Sequence, residues 1–264
     1  MHWKSYLRQL FGGRLRWKSY LRQLFGGRLR SGPKQKPGTA LVTGANRGIG
    51  LEIVRQLAGL GWQVFLTARH KDAGIMAVSQ LGPGVRFVQL DVANEESIRR
   101  AYQEIAASTI VLDLLINNAA VLAKDDRSVF AVSTDILQRT FITNTMGPLL
   151  VTRTFLPLLR ASRSARVINV SSEVGSLCTM QHNVPAYSIS KAALNAVTRQ
   201  LAAACQVDHI AVNAITPGWV QTDMGGPRAP RTIKKGVEGI MWLASEAPSD
   251  LSGKFLMDQT MIEW

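Results

Sequence analysis

TALVTGANRGIG, residues 39–50, is the stretch of this chain that decides its fold. Residues 39–43 are mostly apolar or β-branched, which predicts a short strand. Glycines 44, 48 and 50 follow, and apolar residues then recur at helical spacing, at Leu51, Ile53, Val54, Leu57 and Leu60. A strand, a glycine-rich turn and a helix in this order present backbone amides at a helix N-terminus, where a pyrophosphate binds well. The spacing is GxxxGxG rather than GxGxxG, so a glycine-rich surface turn remains an alternative at this point.

Further strands are predicted along the chain, and helical patterns alternate with them. They lie at residues 63–67, 85–90, 112–116 and 166–170. Alternation at these lengths builds a parallel sheet that helices cover on both faces. We therefore expect a single α/β domain over residues 39–264, a doubly wound parallel sheet (Rossmann fold) of about seven strands.

The end of the second predicted strand indicates which dinucleotide the chain binds. Sites that prefer NAD usually place an acid there to hold the ribose 2′-hydroxyl. This chain has Ala68 and Arg69 instead, and the nearest acid is Asp72. Arg69 and Arg47 would together suit a 2′-phosphate, whereas either arginine alone would be interpreted as a solvated surface charge. The missing acid and the two arginines predict NADP(H).

Two other strand ends carry polar residues. The third predicted strand ends at Asp91 and Val92, where a side chain can meet an adenine amino group. The alternative for Asp91 is a turn or a helix N-cap. The fourth predicted strand ends in the sequence NNAA, residues 117–120.

The fifth predicted strand ends at Ser171 and Ser172, and a candidate proton donor follows it. Tyr187 and Lys191 are four residues apart in a helical pattern, so both point to the same face of the helix. Because a nearby ammonium favours the phenolate, we expect Lys191 to lower the tyrosine pKa from about 10. Such a pair can donate a proton to a carbonyl oxygen or take one from an alcohol. The alternative is an ordinary pair on a helix surface.

Six motifs taken in order resemble one family. They are TGANRGIG (43–50), NNAA (117–120), TNTMG with Asn144, VSS (170–172), YSISK (187–191) and PGWVQTDM (217–224). Together they resemble the short-chain dehydrogenase/reductase family over about residues 39–264. GWVQTDMGGPRAP (218–230) and the C-terminal ending are similar to its carbonyl reductase-like branch, called C-factor or sniffer.

The resemblance implies a role for each matching residue. Tyr187 is the general acid, and Lys191 activates it and binds the nicotinamide ribose. Ser172, the second serine, orients the substrate carbonyl, and Asn144 holds a proton-relay water. Besides Tyr187 and Lys191, the implied cofactor-binding residues are Gly44, Asn46, Arg47, Gly48, Ile49, Gly50, Arg69, Asp91, Val92, Asn118, Ala119, Ala120, Pro217, Gly218, Val220 and Thr222.

Some features depart from the family pattern. Ala120 replaces a usual glycine, and the closing segment MDQTMIEW lacks the glycine-containing turn expected in this branch. The segment between Thr222 and the helix predicted near Thr232 is short, which favours an open pocket for a carbonyl or alcohol substrate. The competing hypothesis is a nucleotide-binding signalling or interaction protein that does not need catalysis.

The net charge of +13 belongs mostly to an N-terminal arm. Residues 1–38 hold ten basic residues and no acidic one, and residues 17–30 repeat residues 3–16 letter for letter. Such an arm is attracted to anionic surfaces and does not indicate a DNA-reading fold. Its amphipathic pattern suits a membrane surface or a mitochondrial transit peptide, and an extension without a role remains possible. We expect deletion of residues 1–36 to leave the folding of the domain unchanged.

The remaining composition excludes several other classes. No run of eighteen apolar residues is present, so no membrane-spanning helix is expected. Two cysteines cannot form a disulfide framework or a four-cysteine zinc site, and the four histidines are scattered, so no metal site is expected. We expect a cytoplasmic protein, or a mitochondrial one if the arm is a transit peptide, and a possible homodimer.

Overall fold

The computed structural model describes residues 28–264, which form one eight-stranded sheet in the order β3-β2-β1-β4-β5-β6-β7-β8. Strands β1 to β7 are paired in parallel, and β8 is antiparallel to β7. The strands are β1 (Thr39–Val42), β2 (Gln63–Ala68), β3 (Val85–Gln89), β4 (Leu114–Asn117), β5 (Arg166–Val170), β6 (Ala211–Thr216), β7 (Phe255–Met257) and β8 (Thr260–Met261).

Helices cover both faces of the sheet, each over its own apolar cluster. One cluster packs β1 and its neighbours against α1, α2 and α7, and the other packs the opposite face against α3, α5 and the end of α6. The predicted doubly wound sheet is therefore confirmed. The α-helices are α1 (Gly48–Gly59), α2 (Lys71–Val78), α3 (Glu95–Ala106), α4 (Thr134–Phe141), α5 (Gly147–Arg160), α6 (Pro185–Ala204) and α7 (Ile233–Ser245).

The order of the strands places a crevice at one edge of the sheet. β2 and β3 lie on one side of β1, and β4 and the later strands lie on the other. Connections that leave β1 and β4 run in opposite directions, and a crevice opens outside their carboxyl ends. The polar strand ends that the sequence singles out all belong to this edge.

The last two strands form a tight hairpin that the sequence pattern did not predict. Met257 pairs with Thr260, and Asp258 between them has a φ of 55°. This left-handed conformation is one that glycine adopts easily and aspartate tolerates. Asp258 therefore takes the place of the glycine that the family pattern led us to expect, and its carboxylate pairs with the Arg231 guanidinium.

Residues 28–38, here called the N-terminal segment, contact the domain. The backbone amides of Leu29, Gly32 and Gln35 donate to the carbonyl oxygens of Gln259, Glu246 and Ser245, at 2.9, 2.6 and 2.7 Å. Leu29 is half-buried against the core. These contacts argue against the expectation that removal of residues 1–36 leaves the folding of the domain unchanged. Residues 1–27, which include all of the repeat except its last three residues, lie outside the described residues.

Candidate active site

A cleft of about 1180 Å³ lies at the carboxyl edge of the sheet. Every residue that the sequence analysis assigns to cofactor binding lines it, and so does Ser172. Asn144 does not. Further lining residues were not predicted because they lie in loops whose shape has no sequence signature; among them are Val121, Leu122, Glu173, Val174, Asn183, Val184, Trp219, Asp223 and Met224.

The glycine-rich turn approaches β4 closely. Gly44 has a φ of 60°, and a Cβ there would lie 2.8 Å from the Ala119 Cα. A Cβ on Gly50 would lie 2.6 Å from the Asn118 Nδ2, which itself donates to the carbonyl oxygens of Thr43 and Gly44 at 2.9 Å. Larger residues would push the turn away from the sheet. The glycines therefore form a close-fitting cradle.

The cradle leads into the N-terminus of α1, which offers donors to an anion. The first-turn amides of an α-helix have no partner within the helix. The N-cap, Arg47, makes no side-chain capping hydrogen bond, and the first turn contains no acidic residue. This arrangement fits a phosphate group, as expected for a dinucleotide.

Arg47 and Arg69, the two arginines that the sequence analysis assigns to the cofactor, both line the cleft, and Arg47 already has a carboxylate partner. Arg47 Nη1 lies 2.6 Å from the Asp223 Oδ2. Arg69 is exposed, and its Nε donates to the His70 ring at 3.2 Å. Ala68 is only 2% exposed. The corner thus offers two cations, of which Arg47 is shared with a carboxylate.

Asp91 forms a turn at the end of β3. Its Oδ1 accepts a hydrogen bond from the Ala93 amide at 3.0 Å. The N-cap of α3 is Asn94, whose Oδ1 accepts from the Ser97 amide at 2.9 Å. Of the two alternatives, Asp91 is a turn residue rather than a cap, and it still lines the cleft.

A carboxylate from a distant loop fixes the start of α6. Both oxygens of the buried Asp126 accept backbone hydrogen bonds, from Ala186 and Tyr187, each at 2.9 Å. No local sequence pattern predicts this cap, because Asp126 lies about sixty residues upstream of the helix. Asp126 sets the position of Tyr187 within the cleft.

The two serines after β5 point to different partners. The Ser172 hydroxyl hydrogen-bonds the side chain of Tyr187. The Ser171 hydroxyl instead donates to the Asn195 Oδ1 at 2.7 Å. Only Ser172 is therefore placed to contact a group bound next to Tyr187.

Burial raises the pKa of Tyr187 to about 12, and the hydrogen bond from Ser172 offsets this only in part. The expectation that Lys191 lowers the tyrosine pKa is wrong for the protein alone. The Lys191 Nζ donates to the Val170 carbonyl oxygen at 2.7 Å and lies 5.6 Å from the centre of the Tyr187 ring. The phenol therefore stays protonated near neutral pH.

Lys191 is itself buried, with 2% of its surface exposed. Burial lowers the pKa of its ammonium to about 7. A cation held in this way favours binding of a polar or anionic group beside it, because such a group restores part of the lost hydration.

Asn144 lies in a π-helical turn, Ile142–Met146, between α4 and α5. Its Nδ2 donates to the Val121 carbonyl oxygen and the Ser190 hydroxyl at 2.9 and 3.0 Å. Its Oδ1 accepts from the Val121 amide at 2.8 Å. The side chain therefore joins the loop after β4 to α6, and its role in holding a relay water stays a prediction. π-Turns of this kind are frequent at functional sites.

Within residues 28–264 we find no cluster of three or more metal-ligating side chains of the His, Cys, Asp and Glu types. In the same residues no helix is long and apolar enough to cross a membrane.

Comparison with known proteins identifies the family. A family model described as short chain dehydrogenase matches residues 38–232. The chain therefore belongs to the short-chain dehydrogenase family, as its motifs indicated.

Two relatives are similar to most of this chain, and one of them is named a carbonyl reductase. Carbonyl reductase [NADPH] 1 of Sus scrofa is 33% identical over 276 residues, covering 85% of this chain and 93% of that protein. Short-chain dehydrogenase anuI of Penicillium roqueforti is 31% identical over 243 residues, covering 85% and 96%.

Solved structures lead to the same branch. The NADPH-bound carbonyl reductase from chicken fatty liver has a TM-score of 0.80 and 31% identity, covering 87% of this chain and all of the other. Carbonyl reductase Sniffer of D. melanogaster has a TM-score of 0.79 and 30% identity, covering 86% and 100%. The resemblance to the carbonyl reductase and sniffer branch is confirmed.

Proposed function

We propose that this protein is an NADP(H)-dependent oxidoreductase that reduces a carbonyl compound to an alcohol, and can run the reverse reaction. One observation carries the proposal. Ser172, Tyr187 and Lys191 lie close together in the same cleft that the glycine cradle and the two arginines line. The similarity to carbonyl reductases that use NADPH supports the same reaction.

The bound cofactor would supply the hydride for the carbonyl carbon. Tyr187, whose phenol is protonated at neutral pH, donates its proton to the carbonyl oxygen. Ser172 donates a second hydrogen bond to the same oxygen and orients it. Lys191, buried below, supplies positive charge that stabilises the phenolate once the proton has left.

Three parts of the cleft would hold the cofactor. The amides at the start of α1 would bind the pyrophosphate, and Arg47 and Arg69 would bind the 2′-phosphate. The family resemblance implies that the loop of Pro217, Gly218, Val220 and Thr222 would bind the nicotinamide amide.

The substrate side of the cleft is largely apolar. Val121, Leu122, Val184, Trp219 and Met224 line the cleft there. The loop between Thr222 and α7 carries no long insertion. Both features favour small or medium-sized apolar carbonyl compounds rather than highly charged ones.

A steady-state assay tests the proposal. NADPH consumption is measured with a panel of aliphatic, aromatic and cyclic ketones and aldehydes, and again with NADH. We expect turnover of at least one carbonyl with a clear preference for NADPH. Tight NADPH binding without turnover of any panel member would instead support the non-catalytic hypothesis.

Two further expectations belong to this proposal. Free Cys178 and Cys205 suit a reducing compartment, so we propose a cytoplasmic protein, with the mitochondrial matrix as the alternative. Localising fluorescent fusions with and without residues 1–30 decides between them. Exposed Phe141, Ile142 and Ile189 on adjoining helices support a homodimer, which light scattering measures.

A further inference from the structure

One ion pair joins the two walls of the cleft at its cofactor end. Arg47 belongs to the glycine-rich turn, and Asp223 belongs to the loop after β6, 176 residues later in the chain. Their side chains meet at 2.6 Å, and both residues line the cleft. The pair therefore crosses the mouth of the cleft.

The loop that carries Asp223 is compact. The Gly225 amide donates to the Thr222 hydroxyl at 3.1 Å, and the Gly226 amide donates to the Thr222 carbonyl oxygen at 2.7 Å. The Trp219 indole donates to the Gly225 carbonyl oxygen at 2.7 Å. These bonds order the loop on both sides of Asp223 and so keep its carboxylate within reach of Arg47.

Arg47 is thus the target of two anions. In the proposed function, on which this inference rests, Arg47 binds the 2′-phosphate of NADP(H). The carboxylate already occupies the same guanidinium, and a phosphate that approaches it also meets the negative charge of Asp223. NADH has a 2′-hydroxyl in this position and leaves the ion pair undisturbed.

We propose that Asp223 is a cofactor-specificity residue that competes with the 2′-phosphate for Arg47 and so weakens NADP(H) binding. The ion pair is closed in the free protein and in the NADH complex, and the 2′-phosphate replaces the carboxylate in the NADPH complex. Phosphate wins the competition because it carries more charge and offers more acceptor oxygens than a carboxylate.

Because the Arg47 and Asp223 side chains are both exposed to solvent, we expect a moderate effect on NADPH binding. The Arg47 and Asp223 side chains are 72% and 74% exposed, and ion pairs in such positions are weak and screened by salt. Replacing Asp223 with asparagine should therefore tighten NADPH binding by about two- to fivefold at low salt, and by less at high salt. NADH binding should change by less than about twofold.

Calorimetric titration of the full chain measures the dissociation constants of NADPH and NADH at low and high salt. Asp135→Asn is the matched control, because Asp135 is 72% exposed and also paired with an arginine, but does not line the cleft. Asp223→Asn is also introduced into an Arg47→Ala background, which completes a double-mutant cycle. We expect tighter NADPH binding only in Asp223→Asn with Arg47 present.

Several results would overturn the inference. It fails if Asp223→Asn binds NADPH like Asp135→Asn, if it binds NADPH more weakly, or if the gain persists without Arg47. An equal gain for NADH would assign the effect to the pyrophosphate and would also contradict it. If the unaltered chain binds no NADPH, the proposed function itself fails, and the inference fails with it.

Discussion

Lys191 combines burial with a positive charge, and this has a measurable effect on stability. The pKa of its ammonium falls to about 7 in the folded protein, from a usual value of 10.5. Between these values the unfolded chain binds more protons than the folded one, so stability rises with pH through this window. Below pH 7 the folded protein bears the full cost of the buried ammonium.

Lys191→Met removes this charge and keeps the length of the side chain. We expect the variant to gain Tm relative to the wild type, by several degrees more at pH 6 than at pH 9, because only the wild type buries an ammonium. Thermal unfolding across this pH range measures the difference. Exposed Lys254→Met is the control and should show no such trend. A pH-independent difference for Lys191→Met would contradict the lowered pKa.

Arg69 is the simplest test of the cofactor preference, since its guanidinium is exposed at the cleft and has no carboxylate partner among the described residues. Charge-assisted hydrogen bonds contribute about 1.5–3 kcal/mol, less where they stay solvated. Arg69→Ala should therefore lower the NADPH-to-NADH ratio of kcat/KM by about tenfold.

Arg86→Ala is the matched control for Arg69, because Arg86 lies on the adjacent strand, 5.9 Å above the Phe65 ring, and does not line the cleft. It should leave the ratio within about twofold of the wild type. If Arg69→Ala also leaves the ratio unchanged, Arg69 is only a surface charge.

Individual side-chain contacts were harder to predict from the sequence than helices, strands or the overall fold. The positions of Gly44 and Tyr187 follow from a strand–turn–helix pattern and a four-residue helical spacing, which are local properties. The Asp126 cap and the Arg47–Asp223 pair join residues that are far apart in the chain, and no local pattern encodes them. Nor does spacing reveal that the Lys191 ammonium donates to the Val170 carbonyl oxygen.

At the scale of elements, the N-terminal segment is part of the folded domain. Its Gln35 Oε1 accepts a hydrogen bond from the buried Arg166 Nε at 2.9 Å, and its Ser31 hydroxyl accepts one from the Trp242 indole at 3.0 Å. Removing the segment leaves these buried donors without partners, which is more costly than losing exposed hydrogen bonds.

Two truncations test this role. Deleting residues 1–27 should leave Tm unchanged, since the predicted fold and site motifs all begin later. Deleting residues 1–36 should lower Tm by about 5–10 °C, because several hydrogen bonds worth about 1 kcal/mol each and the Leu29 contact are lost. Equal Tm values for the two truncations in calorimetry would show that the segment contributes no stability.

Strands and long helices were predictable because their apolar periodicity is strong, whereas short or irregular elements were not. The strand Arg166–Val170 matches its predicted range, and the fourth strand is shifted to Leu114–Asn117. The π-turn at Ile142–Met146 was not predictable, because its residue types also occur in ordinary α-helices. The β7–β8 hairpin depends on Asp258 adopting a left-handed conformation, which composition does not reveal.

For the whole molecule, one sheet edge brings together a glycine cradle, a charged corner and a buried proton donor. The cradle and the donor come from opposite halves of the chain, and only the parallel strand order makes them neighbours. We therefore propose that this single cleft both binds NADP(H) and carries out proton transfer.

Turnover of Tyr187→Phe tests this claim most directly, with the carbonyl compound that the wild type reduces fastest. Tyr102→Phe is the control, because Tyr102 packs against Phe155 at 5.5 Å outside the cleft. We predict that Tyr187→Phe loses about 10²–10⁴-fold in kcat while its NADPH dissociation constant stays within about twofold, and that Tyr102→Phe retains activity. A kcat for Tyr187→Phe within a few-fold of the wild type would contradict the account.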